Sequence, residues 1–112
     1  MKIYHNPRCS KSRETLKIIE GAGKEVEIIE YLKFIPTEKE LIVLLQQLGI
    51  SAATLIRKGE AIYKEQFKDK TLTEDQWIKA MIEFPKLIER PIVVKGNRAI
   101  LGRPPQNVEV LL

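Results

Sequence analysis

One cysteine, Cys9, and one histidine, His5, are all this chain of 112 residues holds of either type. A lone cysteine rules out a disulfide within the chain and any cysteine-rich zinc site, and no resident metal or bound cofactor is expected. It also means that any redox work at Cys9 draws its second thiol from another molecule. No apolar run approaches the length of a membrane span, and no charged-then-apolar leader opens the chain. There are no repeats and no low-complexity stretches. Charge of one sign does not dominate either: 19 Lys and Arg against 15 Asp and Glu leave a net +4. The two signs are interspersed, which is not the pattern of a dedicated nucleic-acid binder, while a modest excess of cations suits a small anionic ligand. The expectation is a cytoplasmic protein without a membrane partner, a single domain over residues 1–112 with enough apolar content (44%) for one core.

What is present is concentrated at the start. Lys2 to His5 reads as a short strand, and Asn6-Pro7 stops it and bars an earlier helix start. Ser10 to Ala22 then reads as a helix, with Leu16, Ile19 and Ala22 near one face and Gly21 and Gly23 as stop signals. Cys9 therefore falls at a strand-to-helix turn, where unpaired backbone N–H groups and the helix dipole favour negative charge. Arg8, Lys11 and Arg13 add positive potential. A thiol in that setting ionises more readily than a free one, and the thiolate is the nucleophile. Ser12 sits where a hydroxyl either donates to the Cys9 sulfur or caps the helix.

Further along, Lys24 to Glu30 alternates, Val26 and Ile28 on one face and Glu25 and Glu27 on the other, and is predicted to be a strand parallel to the first. Residues 37–84 form one helical block. Thr37-Glu38-Lys39-Glu40 is a capping box leading Leu41, Leu44, Leu45 and Leu48, with Gly49 as terminator. Ser51 caps a short helix with Ala52, Leu55 and Ile56. Glu60 to Lys68 is predicted helical, burying Ile62 and Phe67. Thr73-Glu74-Asp75-Gln76 is a second capping box, leading Trp77, Ile78, Met81 and Ile82 up to Pro85. Beyond Arg90-Pro91, Ile92-Val93-Val94 and Arg98 to Leu101 form strands joined by the two-residue turn Gly96-Asn97. Pro104-Pro105 opens a last helix carrying Val108, Leu111 and Leu112. The order gives an α/β fold: a thioredoxin-like mixed sheet, βαβ followed by a β-hairpin and a helix, with an inserted helical block. Pro91 falls where that layout places a cis proline beside its active cysteine, although base rates alone favour trans.

The segment His5-Asn6-Pro7-Arg8-Cys9-Ser10-Lys11-Ser12-Arg13 resembles the H-N-P-x-C-x-x-S-R loop of the glutaredoxin-coupled arsenate reductase family. Leu55-Ile56-Arg57-Lys58, Glu89-Arg90-Pro91-Ile92-Val93-Val94 and Gly102-Arg103-Pro104 resemble its three downstream arginine motifs, in order and at similar spacing. The resemblance implies that Cys9 is the nucleophile, that Arg57, Arg90 and Arg103 hold the oxyanion, and that His5 helps keep the thiol ionised. It implies glutathione as the external reductant and glutaredoxin as the partner that clears a mixed disulfide from Cys9. Guanidinium groups suit the task because they hold oxyanions through paired, charge-assisted hydrogen bonds and keep their charge. The loop departs from better-known members in carrying Arg8 and Lys11, and the short form stops soon after Arg103.

Two other readings belong beside this one. A redox-responsive, RNA-polymerase-binding regulator of the same superfamily typically carries C-x-x-C, whereas Cys9-Ser10-Lys11-Ser12 lacks the second cysteine. A glutathione-dependent thiol-disulfide oxidoreductase without arsenate activity leaves the three arginines unexplained.

Overall fold

The computed structural model describes all residues, Met1–Leu112, and the contacts between them separate into two compact units. Met1–Phe34 with Arg90–Leu112 forms the first, and Ile35–Glu89, which contains the predicted helical block, forms the second.

The first unit is built on a four-stranded sheet in the order β2-β1-β3-β4, where β1 is Lys2–His5, β2 Glu27–Glu30, β3 Ile92–Lys95 and β4 Arg98–Leu101. β1 and β2 are parallel, as a βαβ crossover through helix α1 (Ser10–Gly21) requires. β3 runs antiparallel to β1, and β4 antiparallel to β3. The β3–β4 turn is Gly96-Asn97, flanked by the pair Lys95↔Arg98. Gly96 has φ +60°, the conformation that a two-residue hairpin demands of its first central residue and that glycine adopts without a Cβ clash. Ile3 and Val93 are register partners on one face of the sheet. Ile19 from α1 and Val108 and Leu111 from the last helix join them in a core whose members are at most 2% exposed. Each such side chain contributes about 1.5–3 kcal/mol relative to an exposed one.

Two expectations here need correction. Ala22 is exposed; the buried stripe of α1 is Ser12, Thr15 and Ile19, two of them polar, because the helix turns its first turns toward the strand ends rather than toward apolar surface. β2 begins at Glu27, and Ile28 is 47% exposed. It lies on an edge strand with a hydrogen-bonded neighbour on one side only, so the apolar face of the alternation is left partly uncovered. The last helix forms where the sequence places it, as a 3₁₀ helix over Pro105–Leu111 that buries Val108 and Leu111.

The second unit holds α2 (Glu38–Leu48), α3 (Ala52–Leu55), α4 (Ala61–Gln66), α5 (Glu74–Glu83) and a single 3₁₀ turn, Pro85–Leu87. Both capping boxes form as the sequence indicates, Thr37 with Glu40 and Thr73 with Gln76. α5 packs on α2 and α3. It buries Trp77, Ile78, Ala80 and Met81, with Leu41, Leu44 and Leu45 buried on α2. The Glu74 carboxylate takes the Ala52 N–H at 2.9–3.0 Å, fixing the start of α3. α4 is shorter than predicted and buries nothing fully. Ile62 and Phe67 are half-buried, because Phe67 lies at the surface against Trp77 and Phe84, at ring separations of 5.8 and 5.9 Å. No helix of either unit is long and apolar enough to cross a membrane.

Candidate active site

Cys9 is placed by a turn that its neighbours build. β1 ends at His5, and Asn6-Pro7-Arg8-Cys9 reverses the chain, the Cys9 N–H donating to the Asn6 carbonyl at 3.0 Å. Pro7 supplies the fixed φ that the second position of such a turn needs. The Asn6 side chain takes the Arg8 N–H at 3.0 Å, and Arg13 reaches back from α1 to donate to the Pro7 carbonyl at 3.0 Å. Cys9 is then the N-cap of α1, in an extended conformation (φ −93°, ψ 122°) and with no side-chain capping bond of its own. Its sulfur lies beside the N–H groups of the first turn, those of Lys11 and Ser12.

Two arginines complete the surroundings of that sulfur. Arg103 directs Nη2 to Cys9 Sγ at 3.6 Å and Nε to the Arg90 carbonyl at 2.7 Å. The carbonyl bond sets the plane of the guanidinium, so the remaining edge faces the sulfur. Arg90 itself is only 9% exposed and hydrogen-bonds the sulfur through its side chain. Burial is the largest influence on the thiol and pushes its pKa up. The Ser12 N–H, the hydrogen bond and charge of Arg90, and the Lys11 N–H oppose it and win, bringing the thiol below its ordinary value of 9.0. Lys11 thus acts through its backbone. Its side chain, like those of Arg8 and Arg13, is exposed. Both Arg90-Pro91 and Arg103-Pro104 are cis; the fold layout indicates the first, and nothing in the sequence marks the second.

Ser12 neither donates its hydroxyl to sulfur nor caps the helix. Its Oγ lies 2.6 Å from His5 Nδ1 and accepts the Asn6 N–H at 3.1 Å, entirely buried. α1 projects Ser12 inward against the end of β1, where two polar groups would otherwise be left unsatisfied. His5 is buried too. Burial lowers its pKa below the ordinary 6.5, Glu30 and Glu20 opposing and Arg13 assisting, so the ring is neutral at neutral pH. Its connection to the sulfur runs through Ser12, whose N–H faces Cys9.

Cys9, His5, Ser12, Arg90 and Arg103 therefore share the first unit, while Arg57 belongs to the second. There the Arg57 N–H bonds the Leu87 carbonyl at 2.7 Å, beside a bridge between Ile56 and Ile88. Its guanidinium is clamped by two carboxylates, Nε to Glu60 at 3.2 Å and Nη1 to Glu89 at 3.0 Å. Both bonds leave Nη2 uncommitted. Sequence reasoning gave no role to the Glu60 and Glu89 carboxylates or to Thr15. Their only sequence signal is position: Glu89 adjoins Arg90, and Thr15 lies on α1 one turn beyond Ser12 and Lys11.

The ArsC family profile matches residues 4–111. An arsenate reductase of Neisseria meningitidis serogroup A is 40% identical over all of this chain and 97% of its own length. An arsenate reductase of Escherichia coli K12 is 42% identical over 98% of this chain and 79% of its own. The solved structure of an arsenate reductase from Vibrio cholerae superposes with a TM-score of 0.93 at 47% identity, covering all of this chain and 98% of that one.

Proposed function

The chain belongs to the ArsC family, whose matched relatives include arsenate reductases and whose fold is thioredoxin-like, and on that premise we propose that it is an arsenate reductase working in the cytoplasm with glutathione and glutaredoxin. The observation that carries the reading is the Arg103 Nη2 contact with Cys9 Sγ at 3.6 Å, at a helix N-terminus whose N–H groups and Arg90 hold the thiol below its ordinary pKa.

A thiolate and an arsenate dianion repel each other. Arg90 and Arg103 remove that obstacle by lying on the sulfur and offering guanidinium edges to the incoming oxygens. Arg57 is the third arginine that the family motifs imply for the oxyanion, its guanidinium held by Glu60 and Glu89. The Cys9 sulfur attacks arsenic: an As–S bond forms, an As–O bond breaks, and the oxygen leaves as water after protonation. Glutathione thiolate then adds to the arsenic with loss of a second oxygen as water. A disulfide forms between Cys9 and glutathione: one As–S electron pair becomes the S–S bond, the other stays on arsenic as a lone pair, and As(V) departs as As(III). Two thiols are oxidised as arsenic gains two electrons. Glutaredoxin takes the glutathionyl group by thiol–disulfide exchange, regenerating Cys9. With a single cysteine in the chain, that last sulfur comes from outside. His5 acts indirectly, by holding Ser12 so that its N–H stays on the sulfur.

The test is arsenate reduction by the native chain with glutathione and glutaredoxin, compared with Cys9→Ser. Arsenite production that depends on Cys9 and on glutathione is the expected result. No arsenite from the native chain, or equal arsenite from Cys9→Ser, rejects the reading.

A further inference from the structure

Directly after β4 the chain passes through a seat with no room for a side chain. A Cβ on Gly102 would lie 2.5 Å from Thr15 Oγ1, 2.7 Å from Pro91 Cγ and 3.1 Å from Thr15 Cγ2. Ordinary contacts between such atoms start at about 3.5 Å. Gly102 is not among the residues with positive φ, so its backbone would tolerate alanine; space alone forbids it. The walls are firm. Thr15 is fully buried on α1, and its hydroxyl donates to the Lys11 carbonyl at 2.8 Å. Gly102 is also held by its backbone, its N–H donating to the Pro91 carbonyl at 2.9 Å and its own carbonyl standing 3.5 Å from Thr15 Oγ1.

The next residue is Arg103, whose guanidinium bridges the Arg90 carbonyl and Cys9 Sγ. The three segments that meet at the sulfur, from α1, from Arg90-Pro91 and from the end of β4, are thus pressed together at Gly102. Hydrogen bonds weaken steeply once donor and acceptor drift by a few tenths of an ångström beyond range. Arg103 Nη2 at 3.6 Å has little slack.

We propose that Gly102 is a positioning residue: its missing side chain lets the strand exit close onto Thr15 and Pro91, and that closure aims the Arg103 guanidinium at Cys9 Sγ. This rests on the reading of Cys9 and Arg103 as the reacting sulfur and its anion-binding partner. Gly102 touches no substrate; it acts through Arg103. Thr15 is the matching wall, which accounts for a buried threonine on a helix face where an apolar residue would serve packing alone.

The experiment is Gly102→Ala in the full chain, read by titrating the Cys9 thiolate through its ultraviolet absorbance and by pH-dependent alkylation, without any oxyanion. The thiol is expected to titrate about one unit higher, which leaves about tenfold less thiolate at a pH below its pKa. Because a more basic thiolate is about threefold more nucleophilic per unit, the alkylation rate falls about threefold. Adding Gly102→Ala to Arg103→Ala should change nothing further, since one acts through the other. Thr15→Ala clears both Thr15 contacts but leaves the 2.7 Å contact with Pro91 Cγ, so in the Gly102→Ala background it brings the titration part of the way back to native. Thr15→Ser keeps the 2.5 Å oxygen and does not.

A folded Gly102→Ala with native titration overturns the proposal, as does a shift that adds to that of Arg103→Ala. Should Gly102→Ala alone fail to fold, the two double variants decide. The proposal requires that the Thr15→Ala partner fold with a thiol closer to native than that of the Thr15→Ser partner, or fold where that partner does not; equal thiols in both, or folding of neither, overturns it. A native chain that yields no arsenite but shows this titration pattern removes the proposed function and leaves the positioning role standing. Arsenite from the native chain together with an unmoved thiol in folded Gly102→Ala does the reverse.

Discussion

Ser12→Ala separates two uses of one buried hydroxyl. In the structure Oγ satisfies His5 Nδ1 at 2.6 Å and the Asn6 N–H at 3.1 Å, while it is the backbone N–H of Ser12 that serves the sulfur. Alanine keeps the N–H and orphans two buried polar groups. Each orphan costs about 1–3 kcal/mol, so the loss is about 2–6 kcal/mol. At about 4 °C per kcal/mol for a chain of this size, the melting temperature should fall by about 8–24 °C. Thermal unfolding by circular dichroism at neutral pH measures it, and thiolate titration of the same sample gives the second reading. A large loss of stability with a small change in the thiol is the expected result. The opposite pattern, a thiol moved up in a protein of native melting temperature, would show the hydroxyl working on sulfur and would refute the geometry drawn for the loop.

His5 gives a pH signature. Its pKa is lowered in the folded chain, so its contribution to stability is fully present above the unfolded value of 6.5 and is lost as pH falls below 6.5 and through the folded value. One proton sets a slope of at most about 1.4 kcal/mol per pH unit in that window, and denaturant unfolding of His5→Asn should lack it. Glu89→Gln removes the charge from one clamp on Arg57, a pair only 23–29% exposed on either side. We expect a stability loss of about 1 kcal/mol and a severalfold higher KM for arsenate, with the thiol titration unmoved. Thr37→Ala breaks the α2 capping box and should lower stability by about 1 kcal/mol in urea unfolding, leaving turnover intact.

Local chemistry made much of this fold legible. The capping boxes at Thr37 and Thr73, the Gly96-Asn97 turn and the β1–turn–α1 placement of Cys9 all follow from residues that interact within four positions of one another. What escaped depends on partners far along the chain. Ala22 and Ile28 look buried by periodicity, but periodicity cannot say which stripe is covered or which strand is an edge. Phe67 looks like a core residue, yet its neighbours Trp77 and Phe84 leave it half-buried. Pro104-Pro105 marks a helix start without fixing its type. Motif resemblance singles out Cys9, Arg57, Arg90 and Arg103, and the structure brings Cys9, Arg90 and Arg103 together in one unit. Hidden from the sequence were the inward turn of Ser12 and Thr15, which reads as polar surface, and the carboxylate clamp on Arg57, whose members lie 3 and 32 positions away.

The most direct measurement is the titration of Cys9 in the native chain beside Arg90→Gln, followed by thiolate absorbance and with folding checked on both. A thiol that ionises below its ordinary value, and moves up when the guanidinium at position 90 is removed, is what a sulfur held by helix N–H groups and paired arginines must do. A native thiol titrating at or above 9.0, indifferent to that substitution, would contradict it.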